Sequence, residues 1–410
     1  MRGTAMGFKR GVWLTLVLAV AALAGGCATV DGRMAVPVAL QGQAEVPDIV
    51  GARFWGDEVP SDLATALRER MPNIGKFSSR PAKSGGRPLV NFLALSGGGP
   101  DGAFGAGLLI GLTRKGTRPV FDVVTGVSAG AIIAPFAFLG SHYDRQLEEI
   151  WTRYGTQDLI QAQFLSGLLG TAPAVADTAP MAHVMARYIT RKLLDEVAAE
   201  YKKGRLLLIG TTNLDAQRPV IWNMGEIASS RHPAALALFR KVILASAAIP
   251  GAFPPVKIRV RAGGKLYDEL HVDGGTTREV FIAPVQLSLR AFDKFFPRPP
   301  IRRIYVIKNG KLSTEYEPVK EQTLSIAARS IATLLKYQTA GDLFRIYVSA
   351  KRDGAAFHLA YVPHTFAIQP KEAFDRAYMR ALFKTGFEIA QRQDPWARTL
   401  PELGSPRRPN

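Results

Sequence analysis

The sequence has one cysteine, Cys27, in 410 residues. A single thiol excludes a disulfide within the chain. The cysteine and histidine spacing of a zinc finger is absent, as are an RNP-like strand and a basic helix with interleaved aromatic residues. These are common signs of nucleic-acid binding, so we expect no nucleic-acid partner.

Acidic residues are few, since 34 aspartates and glutamates stand against 52 lysines and arginines and give a formal net charge of +18. Such a surplus favours anionic partners, and without nucleic-acid motifs it favours an anionic membrane surface. The alternative, a basic surface that is simply solvated, stays open. The hydrophobic fraction of 47% is that of an ordinary globular protein with a core.

Long hydrophobic runs are also missing. The run from residue 11 to about residue 24 is shorter than the ~20 residues that a spanning helix needs. A short basic segment precedes it and the letters LAGGC end it, which predicts a signal peptide over residues 1–27. This end resembles a bacterial lipobox, with Ala24 where leucine is usual. We therefore expect lipidation of Cys27 and anchoring in the bacterial cell envelope, at the outer membrane or the periplasmic face. An unlipidated signal peptide is the alternative.

The rest of the chain divides into three parts. Residues 28–86 are rich in glycine, proline and polar residues, and we interpret them as a tether and lead-in. Residues 87–392 form one domain, and residues 393–410 form a tail. Within the domain, strand patterns near 88–95, 120–125, 205–211, 220–222, 256–260, 266–272, 304–307 and 357–362 alternate with helical patterns. The predicted helices lie near 102–115, 129–139, 147–154, 193–203, 233–247, 321–349 and 372–391.

Strands that alternate with helices indicate an α/β fold with a mainly parallel central sheet and helices on both faces. The apolar segment 164–169 either caps a lipid-binding cleft or packs on the core as an insertion. No internal repeat and no long low-complexity segment is present. The sequence does not determine the oligomeric state.

The letters GVSAG at residues 126–130 lie where a predicted strand passes into a predicted helix. This is the setting of a nucleophile elbow, in which Gly126 and Gly130 allow a tight turn that exposes Ser128. The helix that follows places its positive dipole end at the serine, which favours developing negative charge. The pattern predicts that Ser128 is a catalytic nucleophile.

A second glycine cluster, SGGGPDG at residues 96–102, also joins a strand to a helix. Exposed N–H groups of consecutive glycines at a helix start bind anions. The spacing is not G-x-G-x-x-G and no G-K-[ST] follows, so an oxyanion hole is favoured over a nucleotide phosphate site. Pro100 has no N–H, so we expect the donors among Gly97, Gly98 and Gly99, chiefly the last two.

The letters DGG at residues 273–275 end another predicted strand and place Asp273 on a sharp turn with Gly274 and Gly275. Alone, this pattern favours an ordinary hairpin turn. Together the segments LALSGGGPDGAFGAG (93–107), GVSAG, TTNLDAQRPV (211–220), ASAAIPGAFPP (245–255) and VDGG (272–275) resemble the patatin-like phospholipase family.

This resemblance covers roughly residues 88–392. It implies a three-layer α/β/α fold and hydrolysis of lipid acyl esters by a dyad, with Ser128 as nucleophile and Asp273 as its base. It also implies an oxyanion hole in the loop 97–99, supported by Gly102, and chemistry without a metal or cofactor. Membrane lipids would be both substrate and surface. The family often has a basic residue where Asp101 stands, which puts a preference for phospholipids in doubt.

Two alternatives remain. The order Ser128, Asp273 and then His358 or His364 is that of an α/β-hydrolase triad, and His271 lies two residues before Asp273. A non-catalytic lipid-binding lipoprotein is the other possibility, although the serine, the aspartate and the glycine loop are all present. The acyl chain and head group are not determined by the sequence.

Overall fold

A computed structural model of the chain describes residues 33–59, 69, 73, 86–162 and 176–401. The predicted signal peptide, Cys27 and the apolar segment 164–169 lie outside the described residues. Of the helices in these ranges, none combines the length and the apolar character that crossing a membrane requires.

Nine strands form one sheet: β1 (Arg53–Trp55), β2 (Leu89–Leu95), β3 (Val123–Gly126), β6 (Leu206–Asn213), β7 (Arg218–Asn223), β8 (Val256–Ala262), β9 (Lys265–Asp273), β10 (Ile301–Lys308) and β11 (Ala356–Tyr361). Two short strands, β4 (Gln161–Ala162) and β5 (Ala176–Asp177), pair separately. The main order is β1-β7-β6-β3-β2-β10-β11, with β9 paired to β6 and β8 to β9.

The five strands β6, β3, β2, β10 and β11 run parallel to one another. Strands β7 and β9 each pair antiparallel with β6, while β1 pairs antiparallel with β7 and β8 with β9. The sheet is therefore mixed. The expected parallel core is confirmed, and short connections such as the β8–β9 hairpin explain the antiparallel part.

The helices that the structure delimits are α1 (Gly102–Arg114), α2 (Ala129–Leu139), α3 (Asp144–Arg153), α4 (Thr156–Leu159), α5 (Ala179–Tyr188), α6 (Arg191–Lys202), α7 (Met224–Ser229), α8 (Ala235–Ser246), α9 (Thr323–Asp353) and α10 (Arg376–Ala390). One sheet face packs against α1, α2, α8 and α10, and the other packs against α9 and the segment 280–289. The predicted three-layer α/β/α architecture is therefore confirmed.

Helices α1 and α10 pack backbone to backbone because both carry glycine where they cross. A Cβ at Gly107 would lie 2.0 Å from the carbonyl oxygen of Phe383, and a Cβ at Gly386 would lie 2.1 Å from that of Phe104. Any larger residue at either glycine would force the two helices apart. The small residues of the predicted helix 102–115 therefore serve this contact.

Part of the segment interpreted as a tether is folded onto the domain. Residues 53–55 form the edge strand β1, and the guanidinium of Arg53 pairs with the buried carboxylate of Glu269. Glu269 also contacts Nε2 of the buried His271 at 3.0 Å. Burial acts to raise the pKa of Glu269, but His271 and Arg53 outweigh it and lower that pKa. The start of the predicted tail is also engaged, since Ala397 bridges Leu359 by backbone hydrogen bonds of 2.8 Å.

Replacing Arg53 with methionine is expected to lower the free energy of unfolding by about 3–5 kcal/mol, because Glu269 would keep a buried charge without its cation. Urea denaturation at pH 7 measures this loss. The matched control, Arg259→Met, removes an exposed pair with Asp268 at 3.1 Å and should cost about 1 kcal/mol or less. Equal small losses in both variants would contradict a stabilising role for the buried Arg53–Glu269 pair.

Candidate active site

The backbone at Ser128 has the geometry of an elbow. Its φ of 54° and ψ of −122° lie in a region that side chains rarely adopt, and α2 begins at the next residue. A Cβ at Gly126 would lie 2.5 Å from the carbonyl oxygen of Gly130, and a Cβ at Gly130 would lie 2.3 Å from that of Leu95. Both glycines are therefore required for the turn, as the sequence predicted.

A buried serine of α8 holds the elbow in place. The Ser128 N–H donates to Oγ of Ser246 at 3.0 Å, and that hydroxyl donates to the carbonyl oxygen of Gly210 at 2.6 Å. Gly210 belongs to β6, so Ser128 is tied to the neighbouring strand. The sequence analysis placed Ser246 inside a matching segment but gave it no role.

Strand β9 brings Asp273 to the same point. Along one side of β6, strand β3 pairs with residues 206–209 and β9 with residues 211–213, so the carboxyl ends of β3 and β9 meet opposite Gly210. A Cβ at Gly274 would lie 2.5 Å from the Gly210 carbonyl oxygen. The Gly275 N–H donates to Oδ1 of Asp273 at 2.7 Å and orients the carboxyl.

The electrostatics of Asp273 suit a base. Burial and the charge of nearby Glu279 raise the pKa of Asp273 to about 8, while the Ser128 hydroxyl and the Gly275 N–H act to lower it. Its Oδ2 has no partner of ordinary hydrogen-bond geometry among the described residues. That oxygen is therefore available to take a proton from Ser128.

The glycine loop supplies two N–H groups. Among the described residues, neither the Gly98 N–H nor the Gly99 N–H donates a hydrogen bond. The Gly97 N–H differs, because it donates to the carbonyl oxygen of Glu279 at 3.1 Å and is not available to an oxyanion. Of the three predicted N–H donors, those of Gly98 and Gly99 are thus available to a bound anion. The Gly97 N–H instead ties the loop to the backbone of Glu279.

Close packing of Gly98 and Gly102 fixes the loop further. Gly98 has a φ of 148°, and a Cβ there would lie 2.1 Å from the carbonyl oxygen of Asn309. A Cβ at Gly102 would lie 2.1 Å from the ring of Trp151. The Asn309 amide donates to the carbonyl oxygen of Ser96 at 2.8 Å, which ties the loop to the end of β10.

Asp101, the residue that departs from the family pattern, anchors the loop. Its Oδ1 accepts a hydrogen bond from the Tyr378 hydroxyl of α10 at 2.7 Å. Burial raises the pKa of Asp101, against the effects of Tyr378 and of the nearby Lys308 cation. A basic side chain is therefore near position 101, but it is Lys308 of β10 and not a residue of the loop itself.

No histidine contacts Ser128 or Asp273, although all six lie within the described ranges. Both ring nitrogens of His271 are engaged, Nδ1 with the Thr211 hydroxyl and Nε2 with Glu269, each at 3.0 Å. Burial lowers the pKa of His271. His358 stacks on Tyr305 at the far edge of the sheet, with ring centroids 4.4 Å apart. This geometry does not favour a triad.

The structure adds Glu279 and Lys308 to the site, neither of which the sequence analysis named. Glu279 is buried against the glycine loop, and its pKa is raised chiefly by burial. In the sequence, Glu279 is marked only as an acidic residue that shortly follows the DGG turn. Within the described ranges, no group of three or more histidine, cysteine, aspartate or glutamate side chains is placed to hold a metal ion.

Residues 93–285 match the family model described as patatin-like phospholipase. This part of the chain is a patatin-like domain. Calcium-independent phospholipase A2-gamma from Rattus norvegicus and Mus musculus is 25% identical to the chain over 280 residues, which are 66% of this chain and 34% of each relative. The chain thus spans about a third of the length of these curated relatives.

Two solved structures are also similar. VipD from Legionella pneumophila has a TM-score of 0.33 at 12% identity, over 76% of this chain and 69% of that one. Human GIVD cytosolic phospholipase A2 has a TM-score of 0.33 at 11% identity, over 81% and 53% of the two chains. With scores this low, the family assignment rests on the sequence match of the patatin-like domain.

Replacing Glu279 with glutamine is expected to move the pH dependence of ester hydrolysis to lower pH. Asp273 acts as a base only when ionised, so kcat/KM of the wild type should rise with pH around an inflection near 8. Removing the Glu279 charge removes one of the two causes of the raised pKa, while burial remains. The inflection should therefore fall below 8 but stay above the ordinary aspartate value of 3.8.

The measurement is a pH profile of kcat/KM with a soluble ester whose own charge is constant. Asp101→Asn is the matched control, because it changes another buried carboxyl that does not contribute to the pKa of Asp273. An unchanged inflection in Glu279→Gln would contradict the assignment of Asp273 as the titrating base.

Proposed function

We propose that the chain hydrolyses acyl ester bonds of lipids, with Ser128 as nucleophile and Asp273 as base. The observation that carries the proposal is the meeting of Ser128, on its elbow, with the buried carboxyl of Asp273 beside the free N–H groups of Gly98 and Gly99. Membership of residues 93–285 in a phospholipase family, and relatives named phospholipase A2, support lipid as the substrate class.

The first half of the reaction transfers the acyl group. Asp273 takes the proton of the Ser128 hydroxyl while Oγ attacks the ester carbonyl, which gives a tetrahedral intermediate. The N–H groups of Gly98 and Gly99 stabilise its negative oxygen, and losing one such donor typically costs ~100-fold in turnover. When the intermediate collapses, the alcohol leaves with the proton from Asp273, and the acyl group stays on Ser128.

The second half returns the enzyme to its starting state. Asp273 takes a proton from water as the water oxygen attacks the acyl-enzyme carbonyl. Collapse of the second intermediate releases the fatty acid and gives the proton back to Ser128. A raised pKa suits an aspartate that has to accept and return a proton in each half of the cycle.

The dyad predicts that Ser128→Ala and Asp273→Asn each lower kcat/KM for a short-chain ester by about a thousand-fold or more, because the two residues act as a unit. His358→Ala and His364→Ala are the matched controls and should keep most of the activity. Released fatty acid is measured by mass spectrometry, with circular dichroism to confirm folding. A folded histidine variant as inactive as Ser128→Ala would replace the dyad with a triad.

We further propose that Cys27 carries a lipid and anchors the chain in the bacterial cell envelope. The proposal rests on the single cysteine that directly follows a short apolar run. Intact-mass analysis of protein extracted from membranes should show a chain that begins at Cys27 and bears acyl groups, and Cys27→Ser should abolish them. An unmodified mature chain that begins at another residue would contradict the proposal.

A further inference from the structure

Lys308 lies at the same edge of the sheet as the reaction centre. It is the last residue of β10, which is parallel to β2, and β2 is parallel to β3. The carboxyl ends of these three neighbouring strands therefore carry Lys308, the glycine loop and Ser128 in that order. Crevices at the carboxyl ends of parallel strands are the usual ligand sites of open α/β sheets.

The Lys308 side chain is buried and forms no ion pair with a described residue. The residue is only 8% exposed, yet it forms neither a hydrogen bond nor an ion pair with any other described residue. Its charge acts on the nearby carboxyls of Asp101 and Glu279, but neither carboxyl forms an ion pair with its ammonium group. A buried ammonium group without a partner is costly, so an anion from outside the chain is its expected partner.

Lys308 lines a cavity of ≈ 480 Å³ that reaches Gly98 of the glycine loop. Other basic residues of this cavity are already paired within the chain. Lys311 lies 2.8 Å from the carboxylate of Glu315, and Arg329 lies 3.0 Å from that of Glu317. Asp101, Glu279 and Glu315 also line the cavity, and Lys308 is its cation without a hydrogen bond or ion pair to any described residue.

The helix beside the cavity presents apolar side chains to solvent. Leu334, Tyr337 and Phe344 of α9 are 70%, 68% and 59% exposed, and Tyr337 also lines the cavity. Their spacing of three and seven residues places them along one face of the helix. Exposed apolar residues next to basic ones fit a lipid surface with anionic head groups better than they fit a free anion.

We propose that Lys308 is a specificity residue, and that it binds the anionic phosphate of a lipid head group while the acyl ester of the same lipid lies at Ser128. The lipid class rests on the proposed function, whereas the anion site rests on Lys308 and its cavity alone. Lys308→Met should therefore lower kcat/KM for phospholipids more than it lowers kcat/KM for esters without a phosphate.

The test compares two monomeric short-chain lipids, dihexanoyl phosphatidylglycerol and dihexanoylglycerol, which share acyl chains and differ in the phosphate. The ratio of their kcat/KM values should fall about tenfold in Lys308→Met, equal to about 1.4 kcal/mol, and should be restored in Lys308→Arg. Lys311→Met is the matched control, because Glu315 already neutralises that ammonium group, and its ratio should change by less than about twofold.

Binding without turnover separates this proposal from the dyad. Calorimetry with dihexanoyl phosphatidylglycerol should show weaker binding to Ser128→Ala/Lys308→Met than to Ser128→Ala, and that result stands even if no ester is hydrolysed. Equal binding, or an unchanged selectivity ratio in a folded Lys308→Met enzyme, would overturn the assignment of Lys308 to a lipid head group. If inorganic phosphate inhibits the wild type through Lys308 while the ratio is unchanged, the site takes free phosphate and the head-group assignment is wrong.

Discussion

The pairing of β6 with two different strands along one side is the constraint on which the site depends. Strand β3 occupies the first half of that side and β9 the second half, so their ends meet opposite Gly210. Close approach at this residue is possible because Gly274, which packs against its carbonyl oxygen, has no side chain. The serine that follows β3 and the aspartate that ends β9 become neighbours through sheet register, not through a flexible loop.

A second constraint is the burial of the ionisable side chains of the site. Asp273, Glu279, Asp101 and Lys308 are largely buried near one edge of the sheet. Burial raises the pKa of the three carboxyls, and the lysine forms no ion pair with a described residue. Burying these groups lowers the free energy of unfolding of the ligand-free protein, and functional sites commonly retain such destabilising groups. The same burial strengthens the electrostatic interactions that a bound ester would experience.

Sequence patterns predicted the parallel core and the tight turn at Ser128 well, because each depends on local features. The apolar run that forms β2, the one that forms β10 and the pair of glycines around Ser128 are each contained within a few residues of sequence. Strand β1 and helices α5 and α7 were missed, since they are short and their stability comes from packing. Nor did any local signal show that the Gly97 N–H is taken by Glu279, or that Lys308 ends beside the glycine loop, because both contacts join distant parts of the chain.

The crossing of α1 and α10 has a consequence for the energetics of the reaction. Glycine contacts clamp the two helices, and Tyr378 of α10 holds Asp101 at the end of the loop, while Asn309 and Trp151 pack directly against Gly98 and Gly102. The loop is thus braced from the helix layer and from β10 before any substrate arrives. In the proposed reaction its dipoles would need little reorganisation when negative charge develops on the ester oxygen, so a helix that lies near the carboxyl end of the sequence would lower the barrier without touching the reacting atoms.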